Sequence, residues 1–235
     1  MNLFYTPHTK ETDTEIVFEK EESRHLGKVL RKKEGDRIHC TNGSGFFFEV
    51  ELISVHQKQC VAKILKAEKQ APLPYSLHMA VAPTKLNDRF EWFLEKATEI
   101  GITEITPIIC DHSERKVIKP ERYEKILVSA MKQSLKAYLP KLNEAIPLEK
   151  FLAISDKETL SCIAHCEETN KKSFKSQLRP KTSVVILIGP EGDFSTSEIE
   201  NAIASNFIPV SLGNSRLRTE TAAVVACHSV AFVNE

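Results

Sequence analysis

The sequence predicts an α/β protein built as two units: a small antiparallel barrel over residues 1–70, then a domain with a mostly parallel sheet over residues 71–235. Three observations predict it. The early segments alternate or run apolar with β-branched residues and are joined by hairpin-type turns. After Ala71-Pro72-Leu73-Pro74 the pattern changes to strand and helix in alternation. Val184 to Ile188 is five consecutive aliphatics, the pattern of a strand buried on both faces of a parallel sheet. A length of 235 residues suffices for two packed cores.

Taken in order, Glu15 to Phe18 is a short extended run, and Glu21 to Leu30 carries Leu26, Val29 and Leu30 at helical spacing. Asp36 to Thr41, Phe46 to Val55 and Gln59 to Lys66 read as strands. The first two are separated by Asn42-Gly43-Ser44-Gly45, residues that tolerate the positive φ of tight turns. Pro72 and Pro74 can continue neither a helix nor a central strand, so the boundary falls there. Tyr75 to Ala82 is an apolar strand. Asp88 to Ile100 is a helix that turns Phe90, Phe93, Leu94, Ala97 and Ile100 inward and stops at Gly101. Ile102 to Cys110 is a second strand, and a basic helix runs from about Pro120 to Tyr138, halted before Pro140. Thr159 to Ala164 and Val184 to Ile188 are strands, with Lys171 to Lys181 a surface loop between them. Ser195 and Glu198 form a capping box that opens a helix to Ala204. Ile208 to Leu212 is the last strand and Thr219 to Val233 the last helix.

Composition excludes several classes. Hydrophobic residues make up 41% and charged residues 27%, and no run approaches the roughly 18 apolar residues of a membrane span, so neither a disordered chain nor a membrane protein is expected. The start, Met1 to Pro7, has neither the basic opening nor the apolar stretch of a secretory signal, which points to a cytoplasmic protein. Six scattered cysteines then read as reduced thiols. Cys162, His165 and Cys166 lack a second ligand pair, so no metal is expected. Net charge is zero, 32 basic against 32 acidic residues, yet the charge is segregated. Residues 24–37 carry a local excess of four positive charges and residues 115–141 an excess of six, either solvated helix faces or surfaces for an anionic partner.

Two loops carry the chemistry. Val185 to Ile188 runs into Gly189-Pro190-Glu191-Gly192-Asp193, and in open α/β sheets ligands bind beyond the carboxyl ends of the strands. Val210-Ser211-Leu212-Gly213 repeats the arrangement before Asn214 to Thr221, where Arg218 and Glu220 stand at a helix N-terminus with unpaired N–H groups.

Asp88 to Gly101, Ser113-Glu114-Arg115, Ala130 to Ser134 with Pro140, Ile188 to Gly192, and Leu212-Gly213 with Leu217 to Ala222 together resemble, in order and spacing, the RsmE family. These are 16S ribosomal RNA methyltransferases of the SPOUT superfamily, acting on N3 of a uridine in the decoding region. The resemblance spans essentially the whole chain. It implies a SPOUT-type knotted parallel-sheet domain with an N-terminal PUA-like β-barrel domain, a homodimer, and S-adenosyl-L-methionine as cofactor. That cofactor would be held by Leu187, Ile188, Gly189, Pro190, Glu191, Gly192, Leu212, Gly213, Leu217, Arg218 and Thr221. The chain departs from the family at Asp193, where a glycine is usual, and at Ser215 and Arg216, where an arginine and an isoleucine are usual. N3 of uracil carries a proton and is a weak nucleophile until it leaves, so Arg218 is expected to stabilise developing negative charge and Glu220 to position or remove the proton. Arg24, Arg31 and Lys32 on the small domain, with Arg115, Arg122, Lys132 and Gln133 on the large one, are expected to hold the phosphates of the small-subunit RNA. The competing readings are a non-catalytic RNA-binding assembly factor that has lost the cofactor site, and an α/β enzyme using another nucleotide. Against the latter stands the absence of a Gly-x-Gly-x-x-Gly or Gly-x-x-x-x-Gly-Lys loop.

Overall fold

The computed structural model describes residues 2–56, 58–154, 159–167 and 170–235. The chain divides into two compact units, one of residues 1–72 with 128–139, the other of residues 73–127 with 140–235.

The first unit is built on β1 (Leu3–Tyr5), β2 (Glu15–Val17), α1 (Lys20–Arg24) continuing as a π-helical turn (His25–Val29), β3 (Arg37–Thr41), β4 (Phe46–Val55) and β5 (Cys60–Lys69). The strands order as β1-β3-β4-β5-β2. The β1 and β3 strands run parallel, a pairing not read in the sequence because three residues show no alternation, and the other pairs are antiparallel. Alternate residues of β4, Phe48, Val50 and Leu52, are buried beside Phe4, Phe18 and Leu26. Register shifts between β4 and β5 at Glu49/Val50 and Leu52/Ser54 bend the ladder, as extra residues in one strand do. Asn42 Oδ1 organises the turn by accepting from the N–H groups of Ser44 (2.9 Å) and Phe46 (3.2 Å).

The second unit holds β6 (Leu77–Val81), α2 (Asn87–Ile100), β7 (Glu104–Ile109), α3 (Pro120–Gln133), β8 (Lys141–Leu142), β9 (Ile146–Pro147), α4 (Leu148–Ile154) and β10 (Leu160–Ala164). It continues with β11 (Lys172–Ser173), α5 (Phe174–Gln177), β12 (Val184–Ile188), α6 (Thr196–Ala204), β13 (Ile208–Ser211) and α7 (Thr219–Asn234). Residues 128–133 of α3 belong to the first unit. The sheet order is β11-β13-β10-β12-β6-β7-β8, with β9 beside β7, and every pair is parallel. All five residues of β12 are buried, as its aliphatic run predicts. The capping box at Ser195 and Glu198 is present, and Gly101 ends α2 at φ +135°.

Two expectations change. The basic helix stops at Gln133 and not near Tyr138, because Leu135 takes φ +53° and the next residues pair with the turn of the small unit. Gly45 donates its N–H to the Ala137 carbonyl (2.9 Å) and Leu139 its N–H to that of Gly43 (2.9 Å). Lys171 to Lys181, read as a loop, contains edge strand β11 and the short helix α5 that buries Phe174. A two-residue strand is too short to show a periodicity.

Candidate active site

The three strands β13, β10 and β12 end level with one another, because Ala164 of β10 lies opposite Ile188 of β12 on one side and Val210 of β13 on the other. Their carboxyl-end loops therefore share one edge of the sheet. A cavity of about 430 Å³ opens there, walled by Ala164, His165 and Cys166 at the end of β10, by Val210 to Leu217 at the end of β13 and in the loop that follows, and by Lys171 and Ala222. Of the expected cofactor residues it brings together Leu212, Gly213 and Leu217. Leu187 and Ile188 are buried within β12 and present only backbone, and the Ile188 carbonyl accepts the Ala82 N–H (2.9 Å).

Glycine in the loop after β12 answers to close packing within the protein. A Cβ at Gly189 would lie 3.0 Å from the Phe194 ring, and one at Gly192 would lie 3.0 Å from His112 Cβ. Pro190 is buried, and its carbonyl accepts the Asp193 N–H (3.0 Å) to close the turn. Glu191 accepts the Lys85 N–H (2.9 Å), which ties this loop to the one after β6.

The start of α7 reaches the same loop. Thr219, 6% exposed, donates its hydroxyl to the Gly189 carbonyl at 3.0 Å. Glu220 is 7% exposed, with Oε1 3.7 Å from Arg89 Nε of α2. Its Oε2 is buried and has no hydrogen-bond partner among the described residues. A buried carboxylate oxygen without a donor is costly, and its commonest resolution is a ligand or water that supplies one. Arg218 is the exposed N-cap residue with no side-chain cap bond, and Thr221 is half-buried in the first turn. Arg218 and Glu220 thus differ sharply in burial, although two residues apart.

His165 and Cys166 sit at the end of β10, where sequence reasoning weighed them only as metal ligands. The signal that could have placed them is positional: β10 is flanked by both glycine-loop strands. Burial pushes the His165 pKa down, with Lys171 adding to the shift, so the ring is neutral near pH 7. Lys171 also donates to the His165 carbonyl (3.0 Å).

The basic candidates fall into two sets. Arg24, Arg31, Lys32, Lys132 and Gln133 all belong to the first unit, so Lys132 and Gln133 are not part of the large domain to which the sequence assigns them. Arg24, Arg31 and Gln133 are exposed, Lys32 is 4.0 Å from Asp36, and Lys132 is bound to Glu22 (2.5 Å). In the second unit Arg115 donates to the carbonyls of Thr84 (3.1 Å) and Lys85 (2.8 Å), and Arg122 pairs with Glu91 (2.8 Å). These last two guanidiniums are committed within the protein.

A larger cavity, about 600 Å³, lies at the opposite, amino ends of the strands. Its polar wall is satisfied internally: Asn143 donates to Glu104 and Thr106 (both 2.8 Å), Lys141 to Glu104 (2.9 Å), and His78 Nε2 meets Thr106 Oγ1 at 2.7 Å. A wall whose groups already hold one another offers a ligand little, and ligands of open α/β sheets bind at the carboxyl ends.

The RNA methyltransferase domain family matches residues 71–231 and the RNA methyltransferase PUA domain family matches residues 18–65. Ribosomal RNA small subunit methyltransferase E of Buchnera aphidicola subsp. Acyrthosiphon pisum is 31% identical, covering 90% of this chain and 86% of its own. A probable rRNA-methyltransferase from Porphyromonas gingivalis superposes with TM-score 0.92 at 41% identity, over 100% of this chain and 98% of its own. The ribosomal RNA small subunit methyltransferase E of Neisseria gonorrhoeae, solved bound to S-adenosyl methionine, superposes with TM-score 0.89 at 25% identity, over 100% and 98%.

Proposed function

Because the chain belongs to the ribosomal RNA small subunit methyltransferase E family, we propose that it methylates N3 of a uridine in the decoding region of 16S ribosomal RNA, with S-adenosylmethionine as donor. The parallel-sheet domain and the small N-terminal sheet described above accord with the SPOUT-type knotted domain and the PUA-like domain that the family implies. One observation carries the proposal furthest: the cavity at the level ends of β10, β12 and β13, beside a helix start that holds the buried Glu220 Oε2, which has no hydrogen-bond partner among the described residues.

The residues present fit the cofactor. The cavity combines apolar walls (Ala164, Val210, Leu212, Leu217, Ala222) with loop backbone, which suits a molecule with a flat base, a ribose and a charged amino-acid tail. The loops at Ile188 to Gly192, Leu212-Gly213 and Leu217 to Thr221 would hold it, and when bound it supplies an electrophilic methyl group on a sulfonium. The chain's own part is to make uracil N3 nucleophilic. Glu220, in the first turn of α7, takes the N3 proton, since its unpaired oxygen is an acceptor awaiting a donor. Arg218, exposed at the same helix start, stabilises the negative charge that then spreads to the uracil oxygens.

RNA is held first through the exposed cations of the first unit, Arg24 and Arg31, with Lys32, and Gln133 adds a polar contact. A homodimer is supported by Trp92 of α2 and Phe232 of α7, large apolar side chains 43% and 63% exposed on helices that pack together. A cytoplasmic setting is supported by six free thiols.

Titration with S-adenosylmethionine, followed by methyl transfer to 16S RNA and to small ribosomal subunits, tests the proposal. Binding, and N3-methyluridine that disappears in cells lacking the protein, are expected. A folded protein that binds no S-adenosylmethionine overturns it in favour of a non-catalytic RNA-binding role.

A further inference from the structure

Asp193 stands at φ +64° in the loop after β12, a backbone region that glycine enters freely and other residues seldom occupy. The turn closes through its N–H on the Pro190 carbonyl (3.0 Å) and needs no side chain. The side chain is nonetheless engaged. Its Oδ2 accepts the Cys166 N–H at 2.7 Å, joining loops that are 27 residues apart and follow adjacent strands β12 and β10. On its other side the loop is held by His112, whose Nδ1 donates to the carbonyls of Gly192 (3.0 Å) and Asp193 (3.1 Å). Cys166 is the outermost residue of the wall that β10 gives to the cavity, next to Ala164 and His165. An uncommon backbone conformation kept by a residue whose carboxylate reaches a neighbouring loop points to a purpose beyond the turn.

We propose that Asp193 is a positioning residue of the cofactor site: by holding the Cys166 N–H it fixes the β10 wall against the loop after β12 and preforms the cavity for S-adenosylmethionine. The inference rests on the cofactor reading above. A charge-assisted hydrogen bond between two loops costs the ligand nothing when it binds, because the ordering has already been done. Asp193 itself touches neither reactant.

The test compares the wild-type protein with Asp193→Asn, Asp193→Ala and Asp193→Gly by calorimetric titration of S-adenosylmethionine, thermal melting without ligand, and methyl transfer. Asp193→Asn keeps an oxygen that accepts the Cys166 N–H, and its affinity is expected to stay within about threefold of wild type. Asp193→Ala and Asp193→Gly lose the tie and are expected to bind about tenfold more weakly, the ratio of one modest charged hydrogen bond, with KM raised and kcat at saturation unchanged. Asp193→Gly also relieves the positive φ, so it should melt at or above Asp193→Ala while binding no better. That separation of stability from affinity is what a purely structural role would not produce. Wild-type affinity in Asp193→Gly overturns the inference and leaves the cofactor reading intact, as does an Asp193→Asn protein as weak as Asp193→Ala. A wild-type protein that binds no S-adenosylmethionine overturns both. Should Asp193→Ala not fold, the glycine and asparagine variants decide the question alone.

Discussion

Replacing Thr219 with valine removes one hydroxyl and almost nothing else. The side chain is 6% exposed and its Oγ1 donates to the Gly189 carbonyl at 3.0 Å, joining the start of α7 to the loop after β12. Valine has the same shape, so no cavity forms. What remains is a buried Gly189 carbonyl with no donor among the described residues. Such a group costs about 1–3 kcal/mol, the desolvation it suffers without return. For a chain of this size that corresponds to a melting temperature lower by roughly 2–12 °C. Because the bond orders both loops assigned to the cofactor, S-adenosylmethionine affinity should fall as well, by up to about tenfold for 1.4 kcal/mol. Thr219→Ser keeps the donor and is the control. Differential scanning calorimetry and calorimetric titration of the three proteins read both effects. If Thr219→Val melts and binds like wild type, the hydroxyl bond does not couple α7 to the loop and the reasoning fails.

Further outcomes follow from the same geometry. Glu220→Gln keeps the shape and removes the base, so single-turnover methyl transfer should slow by about 10²–10⁴ with S-adenosylmethionine affinity little changed, and wild-type turnover would end its assignment as base. Arg218→Ala should cost about 10²–10³ in turnover if it stabilises the uracil anion; an unchanged rate would assign that charge elsewhere. Burial holds the His78 pKa below its ordinary 6.5, so the unfolded chain takes up a proton that the fold resists. Its contribution to stability is complete above pH 6.5 and is lost as pH falls below that value, and melting curves from pH 7.5 to 5.5 should be flatter for His78→Gln. In the same wall burial would raise Glu104, but hydrogen bonds from Asn143 and Lys141 outweigh it and hold the carboxyl below its ordinary 4.5. Its share of the stability is therefore lost only at lower pH, as pH falls through that depressed value. Arg31→Ala should reduce the salt slope of RNA binding by about 0.7–0.9, one phosphate's worth. Arg122→Ala, whose guanidinium already belongs to Glu91, should leave that slope unchanged in a filter-binding series.

The parallel-sheet domain was legible because its central strand must be apolar on both faces: Val184 to Ile188 cannot be placed otherwise. The capping box at Ser195 and the helix stop at Gly101 were legible for an equally local reason, since caps are made by neighbours in the chain. Both glycine loops were found, but the reason for their glycines was not. Gly189 and Gly192 are set by Phe194 and His112, and the second of these is 80 residues away. The β10 wall of the cavity was missed because nothing in Ala164-His165-Cys166 marks a binding loop; only its place between β12 and β13 does.

Local sequence thus determined the fold class, the elements and the helix start that carries Arg218 and Glu220, because periodicity, capping and turn chemistry act over a few residues. Tertiary structure decided which residues meet. It buried Glu220 and left Arg218 exposed, bound Lys132 to Glu22 and Arg122 to Glu91, and tied Asp193 to Cys166. Burial and pairing depend on strand order and on contacts between distant segments, and no local pattern encodes either.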